Sequence, residues 1–285
     1  MALDMTAIVL TYNEEIDLPD CLESLKGLDC QDIVIDSGIN DGTVDIAKRA
    51  GAQVVRHEFE SQARQLNWAL DNVPMRGGWL LRLDADERLT PELAEELSQT
   101  LPEPGEDVTG LYVKRRVYFM GRWIRHGGYY PTWLLRVWKK GAARSEERIM
   151  DEHMVLSEGR AAYLKHDIVE ESGKGLFSWT EKHNRYSVRE AEAVLADSED
   201  GQIRPSLFGT PVARRRWLRN RVYGQMPLFA RAFLYFGYRY FFRLGFLDGR
   251  PGLVFHFLQG CWYRFQVDAL LFESRSRGSG RKGPA

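Results

Sequence analysis

Two carboxylates separated by one residue end an apolar run in the first third of the chain. Apolar residues dominate 80–83, and Asp84 and Asp86 follow directly, as in a buried strand that delivers acidic side chains to its exposed end. Because side chains alternate along a strand, Asp84 and Asp86 are expected on one side and Glu87 on the other. Paired carboxylates suit Mg²⁺ or Mn²⁺, which keep positions open for phosphate oxygens. The competing interpretation is a solvated acidic turn before a helix at Thr90.

The segments before this acidic pair alternate between strand and helix patterns. Short β-branched runs over 6–12, 32–36 and 53–55 predict strands, and the apolar spacing over 18–25 predicts a helix. This alternation indicates an α/β fold with a mostly parallel sheet, whose ligands bind beyond the carboxyl ends of the strands. Polar residues at three such ends are Tyr12, Asn13, Glu14, Asp36, Asp84 and Asp86. A binding site is therefore predicted along that edge.

Four motifs in the first third of the chain resemble those of the family 2 glycosyltransferases, in that family's order and spacing. They are Thr11-Tyr12-Asn13-Glu14-Glu15, Ile35-Asp36-Ser37-Gly38-Ile39-Asn40-Asp41-Gly42-Thr43, Gln65-Leu66-Asn67-Trp68-Ala69-Leu70 and Asp84-Ala85-Asp86-Glu87. Each motif is unspecific alone, whereas the combination is highly specific. The resemblance implies a GT-A fold, in which a Rossmann-like, mostly parallel sheet is flanked by helices.

The resemblance also implies roles for the matching residues. In that family the first strand end and the acid after the second strand hold the nucleotide, and the Asp-x-Asp pair holds ribose and a metal that bridges the diphosphate. The implied nucleotide-sugar contacts are Thr11, Tyr12, Asn13, Glu14, Asp36, Gln65 and Asp84. Asp86 would be the direct ligand of a Mg²⁺ or Mn²⁺ cofactor. The chain departs from the family at Ile39, where a small polar residue is usual, so no contact is expected there.

A second acidic pair supplies the candidate general base. Asp151 and Glu152 lie about as far beyond the Asp-x-Asp as the base of the family does. Inverting transfer needs a carboxylate that accepts the proton of the acceptor hydroxyl as its oxygen attacks the anomeric carbon. Glu152 is the first candidate and Asp151 the second. The alternative for either residue is a helix cap or an ion pair with Arg148.

Five further residues are candidate contacts for the acceptor or for phosphate. They are Arg125, His126, Tyr129, His166 and Lys182. The first three lie in a basic, glycine-rich and aromatic segment, 122–131, which is expected either to cover a sugar or to form a hairpin packed by its own rings. His166 is open to a structural interpretation. Arg136, in a predicted returning strand, is interpreted either as facing phosphate or as a surface arginine.

Composition limits the classes of function. The 285 residues carry 39 Lys and Arg against 40 Asp and Glu, a formal net charge of -1, which argues against a nucleic-acid binder that depends on electrostatics. The 3 cysteines have no metal or disulfide spacing and suit a reducing compartment. No signal-peptide pattern opens the chain. A cytoplasmic enzyme is therefore expected.

The last quarter is crowded with aromatic residues and arginines. Apolar residues recur at three- and four-residue spacing from Val222 to Leu244, which predicts one helical stripe with Arg231 and Arg239 on its other side. These charges argue against a spanning helix. The pattern favours an amphipathic region in the membrane interface, with the arginines 214–216 attracted to anionic lipids. Packing on the catalytic domain, or on a second copy in a homo-oligomer, is the alternative.

The chain is thus predicted to have a GT-A catalytic domain over 1–200, an amphipathic helical region over 201–273 and a disordered tail over 274–285. The expected activity is inverting, metal-dependent transfer of a sugar from a nucleotide sugar, expected to be UDP-linked, to a hydroxyl of a lipid-anchored glycan. Gly245 to Gly249 resembles the tail of bacterial enzymes that build lipopolysaccharide core or other envelope glycans, at the inner face of the cytoplasmic membrane. The alternatives are a polyprenyl-phosphate glycosyltransferase and a non-catalytic nucleotide-sugar-binding protein.

Overall fold

The chain folds into two compact units. The computed structural model describes residues 3–38, 41–147, 152–196, 205–208 and 211–279. Of these, the first unit contains 3–118, 130–147 and 152–174, whereas the second contains 119–129 and the residues from Gly175 onward. The boundaries of the three segments predicted from the sequence stay a prediction.

The described residues form strands throughout the first unit and helices in both units. The strands are β1 (Met5–Thr11), β2 (Gln31–Asp36), β3 (Gln53–Arg56), β4 (Trp79–Asp84), β5 (Glu87–Leu89), β6 (Val108–Phe119), β7 (Arg122–Trp123), β8 (Thr132–Lys139), β9 (Ala143–Ser145), β10 (Met154–Leu156) and β11 (Arg160–Glu170). The helices are α1 (Leu18–Leu25), α2 (Thr43–Arg49), α3 (Gln62–Asn72), α4 (Pro91–Thr100), α5 (Gly175–Leu195), α6 (Pro211–Arg221), α7 (Ala230–Gly237), α8 (Gly249–Phe257) and α9 (Tyr263–Ser279).

Four parallel strands bring the predicted polar residues to one edge of the sheet. Their order is β3-β2-β1-β4, and all three pairings are parallel. In register, Thr11 on β1 lies beside Asp36 on β2, and Leu10 lies beside Asp84 on β4. The carboxyl ends of the three strands therefore coincide, as the sequence predicted.

The other half of the sheet mixes strand directions. The order continues from β4 through β8, β6 and β11 to β5. The β4–β8, β8–β6 and β11–β5 pairings are antiparallel, whereas β6 and β11 run parallel. The predicted mostly parallel sheet is therefore the β3-to-β4 half, and β8 returns along β4 with its side chains close to the acidic strand end.

Helices cover both faces of the parallel half. Alternate residues of β1 face opposite layers, with Val9 packing in the cluster that contains α1, α2 and α4 and Ile8 in the cluster that contains α3. Helix α1 forms because Leu18, Cys21, Leu22 and Leu25 make one buried stripe behind a proline in the first turn. Each buried leucine contributes roughly 2 kcal/mol of transfer free energy, so this layer fixes the loop that follows β1.

The second unit is built mainly from helices. Helix α9 packs along α5 through a small core of Ala191, Tyr263, Val267 and Leu271. A π-helical turn continues α7 over Tyr238–Phe242, and another joins α8 to α9 over Leu258–Trp262. Across the part of the chain that the structure describes, no helix combines the length and the apolarity needed to cross a membrane.

The predicted uninterrupted stripe from Val222 to Leu244 is wrong. Met226 is extended, Phe229 has φ 67°, and α7 begins only at Ala230. Pro227 explains the break, because proline restricts the preceding residue to extended conformations and has no N–H for a helical bond. At the other end, α9 runs to Ser279, within the segment predicted to be disordered, and an ion pair between Glu273 and Arg277 supports its last turns.

Candidate active site

The carboxylate of Asp84 at the end of β4 is held by two arginines. Arg82 Nη2 donates to Asp84 Oδ1 at 3.2 Å, and Arg136 Nη2 donates to Asp84 Oδ2 at 3.1 Å. Both guanidinium groups are buried. Because each oxygen of Asp84 already has a charged partner, the orientation of this carboxylate is fixed by the protein itself.

Glu87 belongs to the same cluster, so the expectation that it would point away from the site is wrong. Its Oε1 accepts a hydrogen bond from Arg136 Nη2 at 2.5 Å, and its Oε2 accepts the N–H of Asp84 at 3.1 Å. Burial raises the pKa of Glu87 above its ordinary value, and the guanidinium of Arg136 counteracts part of that rise. The partner comes from β8, where Arg136 is buried, so its interpretation as a surface arginine is wrong.

Asp86, two residues beyond Asp84, is the remaining candidate for a divalent cation. No cluster of three or more His, Cys, Asp or Glu able to hold a metal occurs among the described residues. Mg²⁺ commonly uses one or two protein carboxylates together with water and substrate phosphates. The carboxylate of Asp86, two residues beyond the arginine-held Asp84, would supply one protein ligand to such an ion, which a diphosphate would share.

A buried thiol lies beneath this acidic group. Cys21 Sγ is 3.9 Å from the carbonyl oxygen of Asp84. Burial, together with the negative charges of Glu87, Asp86 and Asp84, raises the pKa of Cys21 well above its ordinary value. The thiol therefore stays protonated.

The end of β1 forms the second part of the site. Thr11 is buried and its hydroxyl donates to the carbonyl of Ile35 at 3.3 Å, which ties β1 to β2. Tyr12 is 50% exposed, and its ring centroid lies 6.3 Å from that of Phe59, so one aromatic face is available to a planar ligand. Asn13 has φ 55°, a left-handed conformation that asparagine tolerates better than most residues.

Glu14 anchors this loop to two neighbouring segments. Its N–H donates to Thr43 Oγ1 at 2.9 Å, and its Oε2 lies 2.7 Å from Nζ of Lys174. Glu15 accepts a hydrogen bond from the N–H of Gly42 at 3.0 Å. These contacts tie the two motifs to each other, since Glu14 and Glu15 hold the backbone and side chain at the start of α2.

Asp36 at the end of β2 is a buried carboxylate whose oxygens have no hydrogen-bond partner among the described residues. Arg56 Nε is 3.7 Å from its Oδ2. Burial raises the pKa of Asp36, and Arg56 opposes the rise. A buried acceptor without a donor is costly, so Asp36 is a candidate for a donor that a ligand supplies.

Two residues of α3 position loops of the first unit. Gln65 is buried, and its Nε2 donates to Ser37 Oγ at 2.6 Å, so its contribution to a ligand site would act through Ser37. Asn67 exchanges hydrogen bonds with the N–H and the carbonyl of Ser145, both at 2.9 Å. Asn67 thereby holds the start of the segment that leads to the candidate base.

Glu152 is part-buried just before β10, and Asp151 lies outside the described residues. The neighbouring backbone is paired, because the N–H of Glu146 donates to the carbonyl of His153 at 2.9 Å. Glu152 is thus carried on an antiparallel connection that Asn67 anchors at its start. Which member of the acidic pair is the base stays a prediction.

The five tentative acceptor contacts are divided between the two units. His166 lies in the first unit, where its Nδ1 is 2.9 Å from Glu96 Oε2. Arg125, His126, Tyr129 and Lys182 belong to the second unit. There, Arg125 lies over the ring of Trp123 and Tyr129 lies under the guanidinium of Arg239, while Lys182 is an exposed residue of α5.

A family model described as glycosyl transferase family 2 matches residues 6–171, more than half of the chain. The chain therefore belongs to this family, and the predicted family and GT-A fold are confirmed. The match covers the strand ends that carry Tyr12, Asp36, Asp84 and Asp86, and it extends past Glu152.

Named relatives include one lipopolysaccharide core enzyme. The chain is 27% identical over 231 residues to the lipopolysaccharide core biosynthesis glycosyltransferase LpsC of Rhizobium meliloti (strain 1021), a match that covers 76% of this chain and 82% of LpsC. It is 31% identical over 103 residues to an uncharacterized glycosyltransferase of Rickettsia bellii (strain RML369-C), which covers 36% of this chain and 34% of that protein.

Solved structures with similarity to this chain share little sequence. S. aureus TarS 1-349 is 14% identical with a TM-score of 0.46, and the match covers 97% of this chain and 92% of that one. Glucosyl-3-phosphoglycerate synthase from Mycobacterium tuberculosis, crystallised with Mn²⁺, UDP and glucosyl-3-phosphoglycerate, is 22% identical with a TM-score of 0.34 and covers 40% of this chain and 44% of that one.

Proposed function

We propose that this glycosyltransferase is inverting and metal-dependent, and that it moves a sugar from a UDP-linked donor to a hydroxyl of a lipid-anchored glycan. The observation that carries the donor assignment is Asp36. A buried carboxylate at a strand end, for which the described residues supply no side-chain hydrogen bond and only Arg56 Nε at 3.7 Å, matches the imide N–H of uracil. The half-exposed ring of Tyr12 would lie against the base.

Asp84 and Asp86 would divide the work at the diphosphate. Asp84, oriented by Arg82 and Arg136, would accept hydrogen bonds from ribose, and Asp86 would ligate Mg²⁺ or Mn²⁺ together with phosphate oxygens. When bound, the cation would stabilise the negative charge of the departing diphosphate. Glu87 and Arg136 would keep Asp84 in place.

Glu152 would act as the general base, with Asp151 as the other candidate. Its carboxylate takes the proton of the acceptor hydroxyl while that oxygen attacks the anomeric carbon. The bond from this carbon to the diphosphate oxygen breaks on the opposite face, so the configuration inverts and nucleoside diphosphate leaves with the bonding electron pair. The proton ends on the base, and charge is balanced.

A lipid-anchored acceptor is supported by the second unit and by the likeness to LpsC. Large apolar side chains are exposed from α7 to α8, among them Phe233, Phe241, Phe242 and Phe257. An apolar patch of this kind on a folded surface indicates a protein or membrane contact. We propose that it lies in the interface of the cytoplasmic membrane, on its inner face, where lipopolysaccharide core or another envelope glycan would be presented.

Calorimetric titration with UDP, CDP and GDP in the presence of Mn²⁺ tests the donor assignment. Uracil and cytosine have similar shapes, but N3 of cytosine accepts a hydrogen bond whereas N3 of uracil donates one. UDP should therefore bind at least about tenfold more tightly than CDP. Asp36→Asn should narrow that preference, because an amide can donate to cytosine. Tighter binding of CDP or GDP by the wild type would refute the uracil assignment.

Flotation with anionic liposomes at low and high salt tests the membrane contact. Arg216, predicted to face lipid, is buried, whereas Arg214 and Arg215 are exposed. Replacing Arg214 and Arg215 with serine should therefore weaken the electrostatic part of binding, and high salt should have a similar effect. Full-length wild type that stays at the bottom of the gradient would remove the membrane contact and favour packing against protein.

A further inference from the structure

The loop around His126 in the second unit is fixed by the residues between α7 and α8. The buried carboxylate of Asp248 accepts hydrogen bonds from the N–H of His126 at 2.9 Å and from its Nδ1 at 2.6 Å. The N–H of Gly127 donates to the carbonyl of Arg243 at 2.9 Å. Arg239 Nε donates to the carbonyl of Gly127 at 2.7 Å. Four bonds thus hold two consecutive residues, and the orientation of the His126 ring is set in advance.

Two glycines allow a guanidinium group to approach this loop. Gly127 and Gly128 have φ values of 68° and 76°, which other residues adopt only with strain. A Cβ on Gly127 would lie 2.1 Å from Cε1 of His256, and one on Gly128 would lie 3.4 Å from Nη2 of Arg243. The backbone at Gly128 is therefore close to the side chain of Arg243, two residues after His126.

His126 and Arg243 both present donors to solvent. The His126 side chain is 33% exposed, and Asp248 occupies its Nδ1, so its Nε2 edge is the part available to a ligand. Arg243 is exposed and offers a planar array of N–H donors that suits phosphate. A histidine and an arginine beside one glycine loop thus bring two N–H donor groups to one small site.

Apolar side chains surround this site along the chain. Phe241, Phe242, Leu244, Phe246 and Leu247 are all exposed, and Phe242 is 81% exposed. Arg243 is therefore a single cation inside an exposed apolar run. A ligand that matches both features carries a phosphoryl group on an apolar chain.

We propose that His126 and Arg243 bind the phosphoryl group of a membrane lipid, whose chains contact the exposed residues of the 241–247 segment. Asp248 is a positioning residue, because it orients His126 without reaching the ligand. The inference rests on the proposed membrane contact and deepens it, since it turns a diffuse attraction to anionic surfaces into a defined lipid site.

Titration of the full-length protein with dihexanoyl phosphatidic acid, kept below its micelle concentration, tests this site without any membrane. The wild type should bind, and His126→Gln and Arg243→Ser should each weaken binding by about tenfold. Arg275→Ser removes an exposed arginine of α9 and is the matched control, with unchanged affinity expected. Asp248→Asn should weaken binding less than His126→Gln, provided that it folds.

Several outcomes would overturn the proposal. They are the absence of binding by the wild type, equal affinities for the wild type and His126→Gln, and an equal loss in Arg275→Ser. Inorganic phosphate that binds as tightly as the short-chain lipid would show that the site takes free phosphate and would remove the lipid. This titration contains no liposomes, so a negative result would reject the lipid site alone. The membrane contact would still be tested independently by flotation.

Discussion

The two units place charge and apolar surface in opposite ways. The first unit buries leucine, isoleucine and valine on both faces of its sheet, and three of its buried charged side chains, Arg82, Glu87 and Arg136, lie around Asp84. In the second unit, Arg231 pairs with the buried Asp268, with Nε 2.8 Å from Oδ1, while Phe242 and Phe257 face outward. Arg264 is likewise held by Glu190, with Nη1 2.5 Å from Oε1.

This contrast indicates different sources of specificity. Burial of apolar side chains drives the folding of the first unit. The buried ion pairs of the second unit contribute little net stability, but they fix which residues face each other. In the second unit, inward-facing arginines leave one side of α7 and its π-helical turn free for exposed aromatic side chains. We expect substitutions in the first unit to change the rate of sugar transfer or the stability of the fold. Substitutions on the exposed aromatic side of α7 should instead change binding to the membrane.

The largest expected effect is on catalysis by the first unit. Asp86→Ala should lower transfer by at least about a thousandfold, because the charge of the departing diphosphate loses its cation. EDTA should reproduce the loss in the wild type, and liposome flotation should not change. Asp45→Ala, at an exposed acid of α2, is the matched control. Transfer that is insensitive to EDTA would contradict metal dependence.

Glu152→Gln should lower the rate of transfer by about 10²- to 10⁴-fold with little change in donor affinity, because only proton acceptance is removed. Single-turnover kinetics with a sugar acceptor measure this effect. A small loss would indicate either that Asp151 is the base or that the acceptor is a phosphate, as in polyprenyl-phosphate transfer. Testing Asp151→Asn in parallel separates those two explanations.

Arg136→Met should lower the free energy of unfolding by about 3–5 kcal/mol, because the buried Glu87 loses its hydrogen-bonded arginine and the part-buried Asp84 loses one of its two. Urea denaturation measures the change. The double variant Glu87→Gln/Arg136→Met should recover part of the loss. Arg144→Met breaks an exposed pair with Asp71 and should change stability by no more than about 1 kcal/mol; equal losses in the two single variants would contradict a buried network.

The second unit should be the more acid-sensitive of the two. Burial lowers the pKa of His256 to about 4, with Arg239 adding to the effect. An unfolded histidine titrates near about 6.5, so the unfolded chain gains a proton that the folded chain resists. Stability is therefore complete above about pH 6.5 and falls by about 2 kcal/mol at pH 5. His256→Gln should reduce the decrease of the unfolding free energy between pH 7 and pH 5. If the wild type and His256→Gln lost the same free energy over this range, the prediction would be contradicted.

The smallest expected change in folding stability comes from the outer side of the second unit. Phe242→Ala should change the free energy of unfolding by no more than about 0.5 kcal/mol while weakening liposome binding by about tenfold. Phe255→Ala, at a buried ring of the same unit, should instead cost about 3–5 kcal/mol. If both variants lost stability equally, the exposed and buried sides would not differ as described.

The elements of the parallel half could be predicted because their signals are local. The β-branched runs, the apolar spacing of α1 and the polar residues after each strand are all recognised within a few residues of one another. The partner of Glu87 could not be predicted, because Arg136 is 49 residues away in the sequence. The two side chains come into contact only through the register of β8 against β4. Pro227, by contrast, was a local signal that the apolar spacing masked. Arg216 shows a related limit, since an arginine in a basic run gives no sign that its neighbours will bury it.

The buried thiol of Cys21 has a consequence for which ions the site would accept. Zinc and cadmium bind strongly where a thiolate is available, and they generally outcompete magnesium for mixed sulfur and oxygen ligands. The carboxylates that would attract a divalent ion also keep Cys21 protonated, and a protonated thiol is a poor ligand. A carboxylate edge above a protonated thiol therefore offers thiophilic ions less advantage than the same edge above a thiolate would.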